Sequence, residues 1–254
     1  MTESTAPAVV FDQVSKSFGA KHILSDVSWS VPAGEALCIL GRSGTGKSVT
    51  LKLLIALLKP DKGKIWIEQD DVTRLEGAEL SRVRRKMGLL FQDAALFDSL
   101  TLYENLALPL ERLTHKTPRE IDYEVDRVLS EVGLAGDKAK MPAELSGGMR
   151  KRAGLARALV LEPKILLADE PSSGLDRITA SEIDELLLRR KAEHKTTLIV
   201  VTHDVHGARR VADRIVVLDR GRLIAEGAVQ EIENSENEVA RKLIGVNEQC
   251  GIET

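Results

Sequence analysis

Cysteine is scarce in this 254-residue chain: Cys38 and Cys250 are its two thiols. Two distant cysteines cannot form a disulfide framework, and neither has a second Cys or His at metal-ligand spacing, so a reduced, intracellular protein is expected. Aromatic residues amount to 3%. Long apolar runs are missing too. The most apolar helix-like stretch, Leu51 to Leu58, is far below the roughly 20 residues of a membrane span. Residues Met1 to Ala8 lack a basic segment followed by an apolar one, so no secretory leader is expected. A basic excess is also lacking: the net charge is −3, which argues against a dedicated nucleic-acid binder. Work at a membrane would therefore require docking onto another chain.

What is present is an ordinary globular balance, 43% hydrophobic and 30% charged, on a chain long enough to bury a sizeable core. Val9 to Phe11 and Ile23 to Val31 alternate like exposed antiparallel strands, and Lys64 to Glu68 reads as another strand. Glu35 to Leu40, Met87 to Phe91, Ile165 to Ala168, Leu198 to Val201 and a final one at Ile215 to Leu218 read as short buried strands. Helical patterns cover Lys47 to Leu58, Thr179 to Lys191 and Asp204 to Val211. Buried strands alternating with helices predict a parallel α/β core. From Leu100 to about Leu161 the pattern is helical, with Pro118 opening one helix and Gly133 closing it, like an insertion between core strands. No Ser/Gly-rich linker divides the chain. After Gly227 the residues are polar and poorly patterned, except for an amphipathic segment from Glu238 to Ile244.

Gly41-Arg42-Ser43-Gly44-Thr45-Gly46-Lys47-Ser48 lies between a buried strand and a helix. Glycines let backbone N–H groups turn inward on a compact anion, and the helix that follows points its positive end at the same place. Lys47 adds a point charge for β- and γ-phosphates, Ser48 offers a hydroxyl to Mg²⁺, and Thr50 stands on the same first turns. This is a phosphate-binding loop, and it predicts a nucleotide triphosphatase using ATP.

Two further segments suit the same chemistry. The apolar run Lys164 to Ala168 ends in Asp169 and Glu170. An acid at a strand's C-terminal end can hold Mg²⁺, and its neighbour can orient and deprotonate water. An acid-rich helix start would look the same. Leu145-Ser146-Gly147-Gly148-Met149 opens a helix that Ser146 caps, and the glycines admit a phosphate; a plain N-cap reads alike.

Taken together, these segments resemble the nucleotide-binding subunit of ATP-binding-cassette (ABC) transporters, over about Val9 to Gly227. Gln92 matches the family's Q-loop glutamine, which contacts Mg²⁺ and faces the membrane partner. Leu145 to Met149 matches the signature LSGGQ with Met in the last place, Ser173-Gly174-Leu175-Asp176 the D-loop, and His203 the switch histidine. Phe18 sits where the family stacks an aromatic on adenine, although an ordinary edge-strand residue fits there as well. The resemblance implies a P-loop core with a mostly parallel sheet and an antiparallel β subdomain. It places the ATPase domain at 8–227, with a helical subdomain at about 96–161 and a short extension at 228–254.

It also implies a head-to-tail homodimer or pseudo-dimer with two ATP molecules sandwiched between chains. Each γ-phosphate would meet Lys47, Gln92 and His203 of one chain and Ser146, Gly147 and Gly148 of the other, with Asp176 close by. Glu170 would act as general base, and Ser48, Gln92 and Asp169 would hold Mg²⁺.

The stretch Phe91 to Leu110, with Ser146 to Ala156 reading SGGMRKRAGLA and Asp169 to Asp176 reading DEPSSGLD, is similar to the Mla-type ATPases associated with Mce-domain lipid-transport systems. That similarity implies a permease of the MlaE type, an Mce-domain protein, and a peripheral position on the cytoplasmic face of a bacterial inner membrane; in some relatives the C-terminal tail either wraps the partner ATPase or binds a small regulator. Arg177 departs from the proline that usually follows the D-loop aspartate. The same catalytic motifs also serve importers of small solutes. The basic run Arg82 to Lys86 reads either as a contact for anionic headgroups or permease, or, as such runs more often are, as a solvated helix face.

Overall fold

The computed structural model describes residues 7–245; Cys250, the rest of the tail and residues 1–6 lie outside it. Strands β1 (Pro7–Phe18) and β2 (Lys21–Pro32) form a hairpin. With β4 (Lys62–Ile67) and β5 (Asp70–Asp71) they make an antiparallel sheet of order β2-β1-β4-β5. Phe11 and Trp29 face each other across the hairpin with rings stacked 4.9 Å apart, the cross-strand pairing that favours aromatics in sheets.

The second sheet runs β10-β9-β3-β8-β7-β6, with β10 spanning Arg222–Gly227. Its parallel strands are β3 (Ala36–Leu40), β6 (Met87–Leu90), β7 (Ile165–Asp169), β8 (Thr197–Thr202) and β9 (Arg214–Asp219). Along β3 the pleat sends Ala36, Cys38 and Leu40 into a core shared with the helical segments, and Leu37 and Ile39 into one shared with the antiparallel sheet. Two covered faces explain why these strands are almost uniformly apolar rather than alternating.

Helix α1 (Lys47–Leu54) is shorter than the expected Lys47 to Leu58. Ala56 takes a left-handed φ of 51°, and the N–H groups of Ala56, Leu57 and Leu58 turn back to the carbonyls of Leu53 and Lys52, which closes the helix early. Helix α2 (Gly77–Arg84) precedes β6. The basic run there is a largely exposed face whose side chains fold back onto the same chain: Arg82 and Lys86 pair with Asp70 and Glu68, and Arg84 donates to the carbonyls of Ile55 and Ala56.

Between β6 and β7 lie α3 (Leu102–Leu113), α4 (Pro118–Glu131) and α5 (Gly147–Leu159). Capping boxes at Thr101/Glu104 and Thr117/Glu120 open the first two, and Gly133 at φ 70° ends the turn after α4. Helices α6 (Arg177–His194) and α7 (Val205–Val211) flank β8.

Ile215 to Leu218 is not the last strand. The chain turns at Arg220 and Gly221, both at positive φ, into an edge strand β10 (Arg222–Gly227) antiparallel to β9. Two consecutive positive φ values define the tight hairpin turn whose twist matches the strands. Residues 228–245 are better organised than their polarity suggests, and the amphipathic segment Glu238 to Ile244 is helical. Helices α8 (Val229–Glu233) and α9 (Glu238–Gly245) bury Ile232, Ala240 and Ile244 in the core on the helical face of the sheet.

Candidate active site

The phosphate-loop residues connect β3 to α1. Gly46 has φ 105°, and a Cβ there would stand 2.7 Å from Leu24 Cδ2, so both backbone conformation and space demand glycine. Thr45 Oγ1 donates to the Arg42 carbonyl at 2.9 Å, closing the loop on itself. Lys47 is buried, and its Nζ donates to the carbonyls of Gly41 at 2.7 Å and Arg42 at 3.2 Å. Burial pushes its ammonium below the ordinary value, while the charges of Glu170 and Asp169 oppose that fall. Arg42, Ser43 and Gly44 are exposed at the rim. Thr50 is fully buried and its hydroxyl donates to the Gly46 carbonyl at 3.1 Å, so in this structure it braces the loop from behind.

Asp169 ends β7 beside the start of α1, and Ser48 Oγ donates to its Oδ1 at 3.2 Å. Burial raises the Asp169 carboxyl, and the hydrogen bond from Ser48 counters it. Both oxygens are hard donors suited to Mg²⁺, which keeps most of its water and phosphate ligands. Among the described residues no group of three or more His, Cys, Asp or Glu side chains could hold a metal, so phosphate and water would complete the shell.

Glu170 is the most constrained side chain here. It is buried, with a left-handed φ of 47°, a conformation that an L-residue keeps only when its surroundings hold it. Its Oε2 accepts from Thr202 Oγ1 at 2.9 Å and from the His203 N–H at 3.3 Å. Its Oε1 lies 2.9 Å from His203 Nδ1 and 3.7 Å from Lys47 Nζ. Thr202 Oγ1 also accepts from the Asp204 N–H at 2.9 Å, which leaves its single proton for Glu170. The parallel sheet explains the meeting: β3, β7 and β8 are adjacent, and their C-terminal ends present Lys47, Glu170 and His203 together.

The remaining candidates stand apart from this cluster. Ser146 caps α5 by accepting from the Met149 N–H at 3.2 Å. Gly147 lines a cleft of about 350 Å³ together with Gln92, Asp93, Lys151, Ser173 and Leu175. Gly148 is buried against Thr179, where a Cβ would stand 2.4 Å from Cγ2. Asp176 caps α6, accepting from the N–H groups of Ile178 and Thr179 at 3.0 Å and from Thr179 Oγ1 at 2.7 Å, bonds that hold its carboxyl below the ordinary value. Phe18 ends β1, half exposed, with Lys16 Nζ 5.5 Å from its ring centroid. Sequence reading gave Lys151 no role, yet its Nζ donates to the Glu170 carbonyl. A lysine on the buried stripe Gly148, Lys151, Leu155 and Ala158 of a helix was the available signal.

Among the described residues no helix is long and apolar enough to cross a membrane. The ABC transporter family profile matches residues 24–173. The "Probable ribonucleotide transport ATP-binding protein mkl" of Mycobacterium leprae is 46% identical over 237 residues, which cover 93% of this chain and 68% of that protein. The methionine import ATP-binding protein MetN of Caulobacter vibrioides is 40% identical over 226 residues, 88% of this chain and 68% of its own length. The chain thus spans about two thirds of these relatives. A solved dimeric ATP-binding cassette in a post-hydrolysis state, bound to ADP and Pi, superposes with a TM-score of 0.80 at 34% identity, covering 87% of this chain and 98% of its own. With its phosphate loop, paired acids and signature helix on the matching α/β fold, the chain belongs to the ABC transporter family as an ATP-binding, ATP-hydrolysing subunit.

Proposed function

We propose that this subunit powers the movement of phospholipids or other hydrophobic compounds between bacterial membranes, as a head-to-tail dimer docked on an MlaE-type permease with an Mce-domain protein. The observation that supports the chemistry is the cluster around Glu170, where Lys47, Thr202 and His203 converge on one buried carboxylate. In this reading Glu170 takes the proton from water attacking the γ-phosphate, and His203 orients that water and the phosphate. Lys47 leaves the Gly41 and Arg42 carbonyls for the phosphate oxygens. Ser48, Asp169 and Gln92 would hold Mg²⁺, which when bound neutralises charge on the β- and γ-phosphates. Gly41 to Ser48 cradles the phosphates, Phe18 stacks on the adenine, and Ser146 to Gly148 of the second chain, with its Asp176 nearby, complete the site.

Closure on ATP and reopening after hydrolysis would then drive the permease from a peripheral position on the cytoplasmic face of the inner membrane. The segment after Gly227 would either wrap the partner ATPase or carry a small regulator.

Lipid cargo rests on the stretch Phe91 to Leu110 and on Met149 with its basic neighbours. A second reading, import of a small solute, is favoured by the names of the ribonucleotide and methionine relatives. Affinity purification from native membranes separates them. An MlaE-like permease with an Mce-domain protein supports lipid transport, and a periplasmic solute-binding partner overturns it. For the chemistry, Glu170→Gln should abolish turnover while trapping an ATP-bound dimer on gel filtration; turnover at the parental rate removes Glu170 as base.

A further inference from the structure

A buried ammonium reaches the hydrolytic acid from an unexpected side. Lys151 is the fifth residue of α5 and is 6% exposed, on a stripe otherwise made of Gly148, Leu155 and Ala158. An apolar residue would fill that position without the cost of desolvating a charge. Its Nζ donates to the Glu170 backbone carbonyl at 2.9 Å and to Ser173 Oγ at 3.3 Å. The same carbonyl accepts from the Ser173 N–H at 3.1 Å, and on the other side of the residue the Glu170 N–H donates to the Val201 carbonyl at 2.9 Å. Glu170 is thus pinned at both of its peptide groups while its φ of 47° aims the carboxylate at His203 and Lys47. Left to itself, a glutamate would relax from that conformation and swing the carboxylate away.

We propose that Lys151 is a positioning residue for ATP hydrolysis: it holds the left-handed turn at Glu170 and thereby ties the signature helix to the hydrolytic acid of the same chain. This rests on Glu170 being the base. Its consequence is communication between the two sites of the dimer. The N-terminus of α5 serves the nucleotide bound by the other chain, and five residues further on the same helix grips Glu170, which serves the chain's own nucleotide. A shift of α5 on engaging the partner's nucleotide is transmitted through one hydrogen bond to the carboxylate that performs hydrolysis. Asp93, whose charge acts on Lys151, places the segment after Gln92 on the same cleft.

Steady-state ATPase kinetics on the full chain test this with Lys151→Met and Lys151→Arg. Lys151→Met should lower kcat about tenfold or more while KM for ATP stays within about twofold, because misplacing a base slows chemistry without loosening nucleotide binding. Lys151→Arg, which still reaches the carbonyl with a donor, should recover most of kcat. Should Lys151→Met fail to fold, Lys151→Gln replaces it, since its amide keeps the position polar but is one bond too short. Unchanged kcat, a parallel change in kcat and KM, or an arginine variant no better than methionine overturns the role. Glu170→Gln measured alongside distinguishes the two readings. If it turns over normally, the assignment of the base fails; if it is dead while Lys151→Met is fully active, only the positioning role fails.

Discussion

Thr202 Oγ1 donates to Glu170 Oε2 at 2.9 Å and accepts from the Asp204 N–H at the same distance, so one hydroxyl joins the acid after β7 to the helix start that follows His203. The arrangement polarises the threonine in one direction. Thr202→Val keeps the shape and removes the donor. If Glu170 is the general base proposed above, losing this hydrogen bond should reduce kcat about tenfold or more, with KM for ATP little changed. Parental kcat would show that the bond is not used.

Lys47 lies beneath its own loop, on the carbonyls of Gly41 and Arg42, and 3.7 Å from Glu170. Lys47→Ala removes the charge proposed to meet the phosphates and the ammonium 3.7 Å from the Glu170 carboxylate. ATP affinity or turnover should fall by about 100-fold or more, measured by equilibrium binding of a fluorescent ATP analogue together with phosphate release.

Gly46 offers a purely steric test. Its φ of 105° lies outside what an L-residue tolerates, and an added Cβ would meet Leu24 and the Ile23 carbonyl. Gly46→Ala should cost on the order of 2 kcal/mol of stability and displace the loop. Thermal unfolding should show the lower Tm, and nucleotide binding should be lost with it.

Asp184 of α6 is buried beside Asp204, and burial pushes its carboxyl up to about 6, against the partial relief of Arg210 at 3.9 Å. A carboxyl whose folded value is raised takes up its proton more readily when folded. Its contribution therefore favours the fold below about pH 4, is lost as pH rises to about 6, and stays lost above that. Asp184→Asn removes this penalty. The variant should be more stable at pH 8 by up to about 3 kcal/mol and should show a flatter decline between pH 4 and 6 in urea unfolding. An unchanged pH profile would refute this account.

The strands of the parallel core and the helix start at Ser146 were legible because their signals are local. An apolar run covered on both faces has one stable home, and a serine before two glycines caps a helix whatever surrounds it. The end of α1 was not legible, since Leu57 and Leu58 continue the helical apolar pattern and only the backward bonds to Lys52 stop it. Strand β10 escaped because an edge strand is half exposed and short. Helix α9 was legible as the amphipathic segment Glu238 to Ile244, whereas α8 escaped because its one buried side chain, Ile232, acquires meaning only against a surface built elsewhere in the chain.

What the residues determined by themselves is the chemistry on offer: a phosphate cradle between strand and helix, two acids after an apolar strand, a histidine after another. Each is set by spacing within one segment. Tertiary structure decided which groups meet. Sheet order β3-β8-β7 brings Lys47, His203 and Glu170 within reach of one another, and the packing of α5 under the turn after β7 delivers Lys151 to the Glu170 carbonyl. No local pattern encodes those contacts, because they depend on the long-range pairing of strands and the burial of one helix face.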